Sequence, residues 1–128
     1  MTISNTLKYI FLIYFILCLI FGIGYFIAPE YIATATAWPF LDPVAGRIMG
    51  SMFFGWAFGA LFAYRASEWS EVKIIVIADI VWGLFGILTF VWMMAIHPTI
   101  PLLVGGFYLL LTALFFILFL WQFYIHNR

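Results

Sequence analysis

Charge is what this sequence has least of. Of its 128 residues only 8% are charged, five Lys or Arg against five Asp or Glu, where an ordinary soluble domain carries about 25%. So few charges do not cover the surface of a soluble globule of this size. The formal net charge is zero and no basic patch occurs, which argues against a nucleic-acid partner. Cysteine is nearly absent. Cys18 alone, inside an apolar run, excludes an intrachain disulfide and a cysteine cluster. No GxSxG, HExxH, CxxC, P-loop or GxGxxG pattern appears. What fills the chain instead is apolar side chains, 68% of the total, a content that excludes disorder. An integral membrane protein is the class that remains.

A bilayer core about 30 Å thick takes about 20 apolar residues of helix. No charge falls between Lys8 and Glu30, between Arg47 and Arg65, or between Asp79 and Arg128. The last run is too long for one span and is cut by His97-Pro98-Thr99-Ile100-Pro101. Ser4, Asn5 or Thr6 can cap the first helix, and Pro29 stops it. Asp42-Pro43 starts the second, with Asp as N-cap and Pro where its missing N–H does no harm. Ser67 or Ser70 caps the third, with Glu71 in its first turn, and Pro101 suits the first turn of the fourth. The predicted spans are 6–28, 43–66, 70–95 and 100–125. They show no period-2 alternation, which excludes a β-barrel. The fold class is all-α: one domain over 1–128, a four-transmembrane-helix antiparallel up-down bundle with both termini on the same side. Residues 29–42 form the one connection of real length, and Tyr31, Ile32, Trp38 and Phe40 suit a short helix lying in the interface.

Orientation follows the bias of Lys and Arg. Lys8, Arg65, Lys73 and Arg128 fall on the side of the termini, and only Arg47 falls on the other. Both termini are therefore placed in the cytoplasm and the protein in the cell (inner) membrane, multi-pass, with lipid as its surroundings. Trp38 and Trp92 would sit at the outer interface, Trp69 and Trp121 at the inner one. Lys8, an apolar stretch and Ala33-Thr34-Ala35-Thr36-Ala37 have the outline of a cleavable signal peptide. The stretch of about 20 residues exceeds the 7–15 of a signal's apolar core, so a span is the better reading.

Charged groups in hydrocarbon are costly and face protein rather than lipid. Asp79 lies eight residues beyond Glu71, about 12 Å below the cytoplasmic surface at 1.5 Å per residue. That is too deep for a short carboxylate to snorkel. Tyr14 and Trp56 would lie at its level and can donate to it. The site is a proton- or ligand-binding carboxyl, or a satisfied structural aspartate. Arg47 opens a face in which Arg47, Ser51, Gly55, Gly59 and Ala63 recur every four residues. Such a face turns Arg47 toward protein, with Glu30, Asp42, Tyr25 or Tyr108 as partners. An anion or headgroup site and plain snorkelling are the alternatives. These depths leave about 17 Å of height between Arg47 and Asp79, too much for a direct pair.

Asp79, Gly83 and Gly86 adjoin on the third helix, with Trp82 beside them. Close packing explains such glycines more simply than a pocket does; Gly55-x-x-x-Gly59 could equally drive self-association, although a GxxxG within a bundle more often packs inside the monomer. His97 and His126 fall at opposite ends and are read as solvated, so no metal is assigned. Aromatic residues make up 23% of the chain. They pack bundles and line apolar pockets alike.

Three segments resemble the DoxX-like set of small four-helix membrane proteins. They are Gly22-x-Gly24-x-Phe26-x-x-Pro29-Glu30, Asp42-Pro43-x-x-x-Arg47-x-x-Gly50, and a third span carrying a polar residue, Asp79. The resemblance implies an accessory membrane subunit or a quinone-adjacent site, since some members associate with quinone-linked oxidoreductase or terminal-oxidase complexes.

Three functions fit the sequence. One is a non-enzymatic accessory or stabilising subunit of a homo-oligomer or larger membrane complex. Another is an oligomeric transporter or channel for a small solute, ion or proton, using Arg47 and Asp79. The third is a quinone- or lipid-binding enzyme subunit. No cofactor is read from the sequence itself; lipid or quinone is the ligand class the third would take.

Overall fold

The computed structural model describes residues 1–39 and 42–128. Among them are five helices: α1 (Asn5–Ile27), α2 (Pro29–Thr36), α3 (Pro43–Arg65), α4 (Trp69–Ile96) and α5 (Leu102–Asn127). Four of these, α1, α3, α4 and α5, are long and apolar enough to cross a membrane. Their surfaces agree with that. Ile74, Leu102, Leu103 and Leu110 are each more than 70% exposed, and soluble monomers rarely leave broad apolar faces open. This is an all-helical chain of the multi-pass membrane type.

The helix ends show local chemistry at work. Ser4 Oγ accepts the N–H of Leu7 at 3.1 Å and caps α1. Pro29 closes that helix and opens the next: it occupies the first turn of α2, where its missing N–H costs nothing. The connection after the first span thus holds a real helix of eight residues. Its C-cap, Ala37, takes left-handed backbone angles (φ 54°, ψ 31°), a conformation that favours glycine. Trp38 follows, half-buried; Phe40, also assigned to the interface, lies outside the described residues. Asp42 Oδ1 accepts the N–H of Val44 at 2.7 Å, the cap expected of Asp42-Pro43. The start of α4 differs from expectation. Neither Ser67 nor Ser70 caps it; Glu68 does, in a capping box with Glu71, whose carboxylate accepts the N–H groups of Glu68 and Ser67 at 2.9 and 3.0 Å. A glutamate three residues on reaches back to those donors, which the nearby serines do not.

The chain divides into two compact units, residues 8–65 and residues 1–7 with 66–128. In the first, α1 and α3 meet through aromatic rings and glycines. Phe21 and Tyr25 stack on Phe53 at 5.6 and 5.9 Å, and Phe26 meets Phe54 edge-on. A Cβ on Gly50 would lie 2.5 Å from the backbone nitrogen of Phe26, so only glycine fits there. The buried residues of α3 are Gly46, Gly50, Ala57, Ala60 and Ala63.

In the second unit α4 and α5 pack along their length. Residue numbers rise on α4 as they fall on α5: Trp69 meets Phe123 and His126, Gly83 lies against Phe116, Gly86 against Thr112, and Gly105 against Met94. The buried residues of α4 are Trp69, Val72, Val76, Asp79 and Gly83. Those of α5 are Gly105, Thr112, Phe115, Phe119, Gln122 and His126. The steps of three, four and seven form one seam per helix. Lipid is as apolar as leucine, so such a seam is held by van der Waals fit and hydrogen bonds rather than by hydrophobic burial.

Candidate functional site

Asp79 sits within the α4 seam, only 5% exposed. Along the hairpin it lies between the level where Gly83 meets Phe116 and the level where Trp69 meets Phe123. The glycine at 83 lets α5 come close at the next turn. Trp82 is half-buried on the same helix, three residues on. Tyr14, buried, and Trp56, half-buried, belong to the unit of residues 8–65.

Arg47 forms a separate polar site. Its guanidinium lies 3.0 Å from Glu30 Oε1, tying α3 to the short helix α2. Of the four partners named for it, Glu30 is in contact with it, and Asp42 serves as helix cap. Both side chains of the pair are about half exposed. Glu30's own backbone N–H, then the Arg47 guanidinium, hold its carboxyl below the usual carboxylate range.

The face that Arg47 opens is not the buried one. Ser51 and Gly55 are exposed and Gly59 partly so; Ala63 is buried. Among the described residues of their own unit, none lies within 4 Å of a Cβ at Gly55 or Gly59. The expectation that this GxxxG packs inside the monomer is therefore not met within the unit. Gly50, one turn away and off that stripe, does the packing instead. Gly83 and Gly86 do lie against α5, whose side-chain carbons come within 3.0 Å of the point a Cβ would take on each.

One cluster was missed from the sequence. His126, read as solvated, is buried, and so is Gln122, at 5% and 1% exposure. Trp69, placed in the inner aromatic belt, is buried too; its ring stacks on His126 at 4.7 Å. Trp121 and Trp92 remain exposed. Residues 1–4 cross over these groups. Trp69 N–H donates to the Met1 carbonyl at 2.8 Å, and Ile3 N–H to the Ser67 carbonyl at 3.1 Å. Ser4 N–H donates to His126 Nε2 at 3.2 Å, and Ser4 Oγ to Gln122 Oε1 at 3.0 Å. His126 Nδ1 lies 2.8 Å from the Gln122 carbonyl. The signal was available: Gln122 and His126 continue the step of three and four from Phe115 and Phe119.

Among the described residues no group of three or more His, Cys, Asp or Glu converges as a metal site. An open groove follows the last turns of α5 past Leu120, Trp121, Tyr124 and Arg128, well away from Asp79 in the chain. No protein-family model, curated protein or solved structure matches this chain. The DoxX-like resemblance therefore rests on its three short segments alone.

Proposed function

We propose that this chain is a non-enzymatic accessory or stabilising subunit of a membrane oligomer or larger complex, with both ends in the cytoplasm. The observation that supports it is the open small-residue face of α3. Gly22, Gly50, Gly83, Gly86 and Gly105 each lie against a neighbouring helix, whereas Gly55 and Gly59 have space beside them within their unit. In lipid, small residues are where another helix comes close, and a helix of a second subunit is the occupant proposed. The resemblance to the DoxX-like set points to the same role, and the Lys and Arg bias supports the orientation.

Mass spectrometry of the intact assembly, extracted from its own membrane, tests this. The expected result is a mass above that of one chain, reduced to one chain by Gly55→Leu with Gly59→Leu while thermal unfolding stays unchanged. A single chain as the only species overturns the proposal.

The burial of Asp79 favours a second reading, in which the oligomer passes a proton or small solute by way of that carboxyl. Reconstituted liposomes would then show a flux that Asp79→Asn abolishes with association intact. Wild-type flux no greater than that of empty liposomes rejects it.

A further inference from the structure

The cluster at the start of α4 and the end of α5 has a definite proton arrangement. A backbone N–H can only donate, so His126 Nε2 must accept from Ser4. A backbone carbonyl can only accept, so Nδ1 must carry the hydrogen that points at Gln122 O. The two bonds together select the neutral imidazole with its proton on Nδ1. A second proton, on Nε2, would set one N–H against another at 3.2 Å. The stacked Trp69 ring and the buried Gln122 leave the ring little room to turn away.

We propose that residues 1–4 form a proton-released latch: neutral His126 holds Ser4, and protonation of its Nε2 frees the N-terminal segment from α4 and α5. Among the described residues, few other bonds hold the segment. They are the Ser4 hydroxyl on Gln122, Ile3 on Ser67, Trp69 on the Met1 carbonyl, and the exposed Met1 amine on Glu68 at 3.1 Å. Ser4 also caps α1, so its release loosens the first turn of that helix. The ionisable groups nearest to these residues in sequence are the Met1 amine, Lys8 and Tyr9 on the N-terminal segment and α1. At the start of α4 they are Glu68, Glu71 and Lys73, with Asp79 further along the helix; at the end of α5 they are Tyr124 and Arg128, with Tyr108 toward its other end. Glu68 shares the latch with His126, so its titration has to be separated from the histidine's.

The test is hydrogen–deuterium exchange of the full chain in nanodiscs from about pH 8 to about pH 5. Rates for the peptide spanning residues 1–7 are divided by the intrinsic amide rates at each pH. The expected result is a one-proton transition with exchange about tenfold faster on the acid side. It should persist in Glu68→Gln and vanish in His126→Phe, which keeps a ring against Trp69 but has no acceptor. Nitrogen-15 spectra of labelled histidine provide a readout that needs no variant: on the alkaline side His126 shows a protonated Nδ1 and a bare Nε2. Flat normalised exchange in the wild type, an unchanged transition in His126→Phe, or the opposite tautomer each overturns the latch.

Discussion

Gly50→Ala gives the sharpest measure of how closely α1 and α3 approach. The added carbon would lie 2.5 Å from Phe26 N and 2.8 Å from Phe26 Cα. Both atoms are backbone, so no rotamer change relieves the overlap and one helix has to move. Overpacking costs about 1–3 kcal/mol, and an overlap that only a backbone shift relieves falls in the upper part of that range, about 2–3 kcal/mol. Alanine's better helix propensity returns about 1 kcal/mol, leaving a net loss of about 1–2 kcal/mol. At about 4 °C per kcal/mol for a chain of this size, the melting point should fall by about 4–8 °C. Gly55→Ala is the control: nothing in its unit meets the new methyl, so it should melt level with the wild type or up to about 4 °C higher. The chain carries its own reporter. Cys18 is the single cysteine and is 3% exposed, so a thiol-reactive dye in detergent lights up when the helices part. Gly50→Ala melting with the wild type, or Gly55→Ala falling as far as Gly50→Ala, would refute the described contact.

Three further outcomes are expected. Arg47→Gln should raise the Glu30 carboxyl titration, read by carbon-13 spectra of labelled glutamate, without returning it fully to ordinary values, because the backbone N–H is its strongest support. Since that carboxyl is depressed in the fold, its stabilising effect is present above the unfolded-chain value and fades as pH falls through the folded one. Ala37→Gly should raise stability by up to about 1 kcal/mol, because glycine takes the left-handed angles of the α2 cap without strain; the same dye melt reads it. Gln122→Leu removes the acceptor of the Ser4 hydroxyl and should cost about 1–3 kcal/mol. Combined with Ser4→Ala it should cost less than the two singles summed, a coupling that a double-mutant cycle measures.

The spans were legible because charge is scarce. Lys8, Glu30, Arg47 and Arg65 frame the first two, and Pro98 with Pro101 splits the final run. Helix starts were legible where a short side chain caps, as at Ser4 and Asp42, and not at Glu68, whose reach depends on Glu71 folding back. The inward faces of the spans were harder to see. When nearly every position is apolar, the contrast that marks an amphipathic helix is gone. His126 and Gln122 looked solvated because they stand near an end, yet the seam carries them inward. The small stripe on α3 announced a face without saying what covers it. Gly50, off that stripe, was set by a backbone approach that no residue pattern encodes. Arg47 was legible to within a choice of four partners, and Glu30 took it through the short helix that Pro29 begins.

The contact between Ser4 and His126 spans 122 positions of sequence. During synthesis the first turn of α1 leaves the ribosome 122 residues ahead of its imidazole acceptor. Until then the Ser4 amide has to find water or lipid headgroups instead. The Ser4 segment thus settles only well after it is made, and anything that binds it in that interval competes with assembly.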